Sequence, residues 1–156
     1  MNMNDNKMTL CFSFEELKQK VLDTLSVAEI SQSANSDSSS RHYIGDERQD
    51  EFVETHLRLA VWEICASLSG WNATTDFDPQ ETFTINLRFG NPIHGFGISL
   101  LEGTVREWIC SVVLCRALKV MTDDNERINS CESMEENLRQ RVLSMLCSAE
   151  MLRKVG

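Results

Sequence analysis

A chain of 156 residues is the length of one domain, and a domain of that size buries about 68–70% of the surface its unfolded chain exposes, so one real core can form. Its 42% hydrophobic and 25% charged residues are ordinary for a soluble globular protein, and only two prolines and seven glycines favour long helices. The formal charge of −9 repels phosphate backbones, and no cluster of basic residues stands out to overcome it, so no nucleic-acid partner is expected.

The chain opens on MNMNDNKMTLCFSF, read as a polar leader. It has neither an apolar stretch long enough for a secretory signal nor a glycine after the initiator methionine for acylation. With the longest apolar run at residues 108–115, far below the ~20 residues of a membrane span, no membrane partner is expected and the location is read as cytoplasmic, or within an assembled particle. Ser13-Phe14-Glu15-Glu16 has the form of a capping box, in which serine and glutamate satisfy each other's exposed amides at a helix start. Leu17, Val21, Leu25 and Ala28 then recur at helical spacing, which predicts a first helix over 14–29. SQSANSDSSS, residues 31–40, has almost nothing to bury and reads as a mobile linker, free to let the first helix dock flexibly or on another subunit.

A second helix is expected to start near Asp46 as its cap. It carries two apolar stripes, one of Val53, Leu57, Ala60, Val61, Ile64 and Leu68, the other of Phe52, Leu59, Trp62 and Ala66. A helix with two apolar faces is central in its domain or half covered by a partner. Gly70 is placed to end it in the left-handed conformation. In residues 81–89 Phe83, Ile85, Leu87 and Phe89 point one way and polar residues the other, the strongest strand signal in the chain. A lone strand must pair with an unrecognised short segment or with the same strand of another subunit.

The bend GNPIHGFGISLLEG follows, and a glycine-rich loop between strand and helix raises the question of phosphate binding. A dinucleotide fingerprint has glycine where Leu100 stands, and a phosphate-binding loop of the Walker type has a lysine that this segment lacks. The bend is read instead as a close reversal through Gly95 and Gly97 after Pro92. Ser99 and Glu102 form a second capping box, opening a helix to about Met121, some 33 Å long. From 108 to 118 it is apolar almost all round and reads as the central helix, with a narrow polar stripe of Thr104, Glu107 and Ser111. Arg116 falls on its apolar side and must snorkel, the simpler reading, or find a carboxylate. After a polar break at 122–127, Ser133-Met134-Glu135-Glu136 repeats the capping box, and Met134, Leu138, Val142, Met145, Ala149 and Leu152 form a seam.

The six cysteines read as reduced, buried small hydrophobes. Cys110 and Cys115 stand about 140° apart on a helix, too far to grip one metal, and nothing calls for a cofactor. Asp76 and Asp78 beside Pro79 read as a turn, and the mixed charges around Arg139, Arg141, Arg153 and Lys154 as a solvated face.

A helix ending in Leu-Ser-Gly-Trp, the strand FTINLRF, the glycine- and proline-containing bend, LLEGTVREWICSVVLCRAL and a final charged helix follow one another over residues 44–152. This order resembles that of small prophage-encoded proteins of virion assembly or the head-tail junction. The resemblance implies a ring-forming or tail-associated structural subunit, not an enzyme, and leaves the serine linker and first helix outside it.

The expected fold is mainly α, a four-helix arrangement with one strand or β-hairpin inserted between the second and third helices. Its parts are a leader and docking helix over 1–30, a flexible linker over 31–43 and a helical core domain over 44–156. The function expected is that of a non-enzymatic structural or assembly subunit, a homo-oligomer by its surplus apolar faces. The candidate interface comprises Phe52, Leu59, Trp62, Phe83, Ile85, Leu87, Phe89, Leu138, Val142 and Met145. The alternative is a small ligand-binding or hydrolase-like enzyme using His94 with Cys110 or Ser99.

Overall fold

The structure, a computed structural model, describes residues 6–35, 47–77, 81–90 and 97–155. Four helices, α1 (Phe14–Asn35), α2 (Glu47–Ser67), α3 (Ile98–Met121) and α4 (Asn125–Val155), dominate the chain. A small antiparallel sheet joins them, made of β1 (Lys7–Ser13), β2 (Thr74–Asp76) and β3 (Thr82–Arg88) in the order β1-β3-β2. Mainly helical, with four helices, is as expected; the sheet is not. Its longest pairing partner is the N-terminal segment, read from sequence as a polar leader, so the β structure is not confined to an insert between the second and third helices.

KMTLCFS alternates as strictly as β3 does: Met8, Leu10 and Phe12 are buried while Lys7, Thr9 and Cys11 are exposed. It pairs with β3 from Lys7 opposite Arg88 to Ser13 opposite Thr82. Amide bonds from Phe14 to the Glu81 carbonyl (2.9 Å) and from Phe89 to the Asn6 carbonyl (2.8 Å) close the two ends of that ladder. The strand thus finds its partners within its own chain, in two segments too short or too mixed to stand out.

Ser13 does cap α1, accepting from the Glu16 amide at 3.3 Å, and the helix continues to Asn35, into the expected linker. The rest of that linker, with Asp46, Asp78, Pro92, His94 and Gly95, lies outside the described residues. Gly70 does not end α2 in the left-handed conformation; a short 3-10 turn over Ser69–Trp71 follows, and Asn72, at φ 51°, takes it instead. Neither Ser99 nor Glu102 caps α3, whose first turn begins a residue earlier with Gly97 at its head. Gly97 has φ −75° and an ordinary 3.9 Å neighbour at its absent Cβ, so no close reversal depends on it. Glu102 turns away to accept the Cys11 amide at 3.0 Å, covering part of the free edge of β1.

The third capping box is likewise internal to a helix. Asp124 Oδ1 accepts from the amides of Glu126 (3.1 Å) and Arg127 (3.3 Å), so α4 starts eight residues before Ser133. The buried line on α4 runs through Leu138, Val142, Leu146 and Ala149, with Met145 half-buried and Met134 exposed.

α3 is the central helix, packed against α1, α2, α4 and β1. Even its polar stripe is largely inside: Thr104 and Ser111 are buried, and the Thr104 hydroxyl donates to the Leu100 carbonyl at 2.8 Å. One continuous core takes side chains from every helix and from β1 and β3, with buried residues from Met8 to Leu25 in the same cluster as those from Val53 to Ala149. Among the described residues no helix is long and apolar enough to cross a membrane.

Candidate functional site

The two stripes of α2 have different fates. Val53, Leu57, Ala60, Val61, Ile64 and Leu68 are all buried against α1 and α3. On the other stripe Leu59 remains 46% and Trp62 57% exposed, with Thr55 and Ala66 exposed beside them and Phe52 half-buried. Positions 52, 55, 59, 62 and 66 alternate in steps of three and four, the spacing that lets a second helix pack at a shallow angle.

Several of the charges flanking this stripe are engaged within the chain. Lys18 Nζ on α1 lies 2.8 Å from Glu54 and 3.8 Å from Asp50, and the Glu54 carboxylate holds the Lys18 pKa above its usual value. Arg116 does not snorkel: it pairs with Glu63 of α2, the carboxylate that the sequence left unassigned. The Arg58 guanidinium lies 5.1 Å from the centre of the Phe14 ring.

Trp62 is braced from below. Its ring centroid is 6.4 Å from that of Phe77, Phe77 is 5.2 Å from Phe83, and Phe83 stacks on Phe12 at 5.1 Å. An exposed indole therefore stands on a line of rings that ends in the core. Its position is largely fixed beforehand, so covering it costs little ordering entropy. Near the start of the stripe His56 rests on Phe52, with ring centroids 4.1 Å apart. Its Nδ1 is buried and has no partner among the described residues, and burial, helped by the Arg116 charge, lowers its pKa.

The other expected interface residues are not on a free face. Phe83, Ile85, Leu87 and Phe89 are core residues of the sheet, at 2% exposure or less, and Leu138 and Val142 are buried under α3. Met145 packs half-buried against them. Of the groups considered for catalysis, His94 lies outside the described residues, while Ser99 is exposed at the start of α3. Cys110 is buried, and burial pushes its thiol up to about 11, which leaves almost no thiolate to act as a nucleophile near neutral pH.

Two polar concavities are lined by described residues. Lys20, Arg106 and Arg141, from three helices, gather beside Ser99 around a groove of about 310 Å3, a basic convergence the sequence did not show. Glu107 lines the same groove and Glu102 holds Arg106 at 3.6 Å. An open cleft of about 610 Å3 lies along the sheet, where Lys7 and Arg88 sit opposite each other and the Thr9 hydroxyl donates to Asn86 at 2.8 Å. Among the described residues, no three His, Cys, Asp or Glu side chains gather as a metal site.

Sequence reasoning missed one pairing altogether. Cys115 and Cys131 come together across α3 and α4: the Cys131 thiol donates to the Ser111 carbonyl, one turn before Cys115, and each sulfur shifts the pKa of the other. Both lie eight residues from Asp123, so a turn placed at 122–124 predicts that they meet; the wider break expected at 122–127 hid it. No protein family, curated protein or solved structure matches the chain.

Proposed function

We propose that the chain is a non-enzymatic structural or assembly subunit that works by protein–protein contact, and that its contact face is the outward stripe of α2, met by the same stripe of a second copy. The observation that carries this reading is Trp62, a large aromatic ring 57% exposed yet braced by Phe77. Rigid aromatic side chains of this kind dominate interface energetics. The step of three and four from Phe52 to Ala66 suits a helix as the covering element. A patch that packs on its own copy needs only a two-fold axis through the stripe. A ring or tail-associated particle is the setting that the resemblance to prophage virion-assembly proteins implies for such a contact.

Sedimentation and light scattering across a concentration series test it. Wild type should self-associate, and Trp62→Glu should weaken association by about 30-fold or more, the factor equivalent to losing an anchor worth about 2 kcal/mol. The helical signal and melting temperature of the variant monomer should be nearly unchanged, because the indole contributes little to the core. A wild type that stays monomeric at the highest concentration, or a Trp62→Glu variant that assembles as before, overturns the reading.

A further inference from the structure

The α3–α4 hairpin carries a chemical feature unrelated to the α2 stripe. Cys131 Sγ lies 3.9 Å from the Ser111 carbonyl oxygen and donates to it. In a helix that carbonyl points along the axis toward residue 115, one turn on. The Cys131 sulfur is therefore held alongside the turn that carries Cys115. Cys115 is buried at 2% exposure, whereas Cys131 is half-buried, so solvent species meet Cys131 first.

We propose that Cys115 and Cys131 form a redox-active pair, with Cys131 as the peroxide-reactive thiol and Cys115 as the resolving thiol, oxidised by a hydroperoxide to a disulfide that ties α3 to α4. The electrostatics give the two sulfurs unequal roles. The neighbouring Cys115 thiol favours the Cys131 thiolate and lowers its pKa, while the same interaction, with burial, raises that of Cys115. Lys119 also favours the thiolate, while burial, Glu135 and Glu132 oppose it.

The chemistry runs in two displacements. The Cys131 thiolate attacks one peroxide oxygen, the O–O bond breaks, and the departing alkoxide or hydroxide takes up the proton that Cys131 released, leaving Cys131 as a sulfenic acid. The Cys115 sulfur then attacks the Cys131 sulfur. The S–S bond forms, the S–O bond breaks, and hydroxide leaves as water with the Cys115 proton. In sum two thiols lose two electrons and two protons, and the peroxide is reduced to water and an alcohol, or to two waters when it is hydrogen peroxide.

The test uses the full-length reduced chain and hydrogen peroxide, with alkylation of free thiols, intact mass and a non-reducing peptide map. The expected result is a monomeric chain lighter by two hydrogens, with two of its six thiols gone, a cross-link joining the Cys115 and Cys131 peptides, and full reversal by dithiothreitol. In Cys115→Ala the reaction should stop at a sulfenic acid on Cys131, trapped by dimedone. In Cys131→Ser, Cys115 should stay reduced for as long as the chain is folded. A map in which Cys115 and Cys131 remain thiols while exposed Cys11 and Cys147 oxidise, or in which the cross-link joins another pair, overturns the proposal whether or not either variant folds.

Discussion

Glu102 and His56 show how one side chain can take a role its position does not announce. Glu102 stands where a capping box places its acid, yet its carboxylate reaches a strand 91 residues away in sequence, because among the described residues no strand lies beside the Cys11 amide on the edge of β1. Ser13 keeps the role its motif foretells, since the helix it caps begins directly after it. The difference is whether the competing partner is local, and only local partners are legible in a motif. His56 carries a pH prediction with a definite sign. Its pKa is lowered in the folded chain, first by burial and then by Arg116, with Glu63 opposing. The unfolded chain therefore binds the proton more readily, and stability is complete above about pH 6.5 and declines as pH falls from there toward the lowered folded value. Thermal melts between about pH 5 and pH 8 should show that decline in wild type and a shallower one in His56→Phe, which keeps the ring packed on Phe52 but has nothing to protonate. Equal slopes in the two proteins would show that carboxylates alone set the acid limb.

Among the elements, the helices were legible where hydrophobic period decided them and less so at their ends. The apolar stripe of α2 and the all-round apolarity of α3 follow from spacing alone, and both are realised as burial. α4 was cut short because Ser133-Met134-Glu135-Glu136 satisfies the same motif as a true start, while Asp124 offers a stronger one, an acid at the head of the helix that accepts two amides. Replacing Asp124 by Ala should cost about 1 kcal/mol of stability, the usual value of a lost cap, and fray the first turns of α4. Ser133→Ala should be neutral or slightly stabilising, since alanine is the better residue inside a helix. Denaturant midpoints of the two variants decide between the starts; a larger loss at Ser133 would restore the later one. β1 was missed for a different reason. Its alternation is complete, but the segment is short and opens on a lysine, and what makes it a strand is β3, whose facing residues lie from 81 (Lys7 and Arg88) to 69 (Ser13 and Thr82) positions on.

At the scale of the whole molecule the question is whether residues 1–30 are an appendage or part of the core. An appendage can be removed, leaving 44–156 folded. The structure buries Met8, Leu10, Phe12, Phe14, Leu17, Val21 and Leu25 in the same cluster as α2, α3 and β3, and Phe12 stacks directly on Phe83. At about 1.5–3 kcal/mol for each buried side chain, those seven contribute roughly 10–20 kcal/mol, as much as the 5–15 kcal/mol by which a domain is stable in all. Removing them would also leave β3 only the three-residue β2 as partner, and a two-stranded hairpin is marginal on its own. The fragment 44–156 should therefore lack a cooperative thermal transition and expose the apolar faces of β3 and α3, seen as dye binding and aggregation. The full chain should melt in one step, with amides of β1 and β3 exchanging together at its slowest rates. A fragment that melts cooperatively near the temperature of the full chain would make the N-terminal strand and helix a dispensable arm. Self-association through Trp62 would then have to be separated from docking of that arm on a neighbouring subunit.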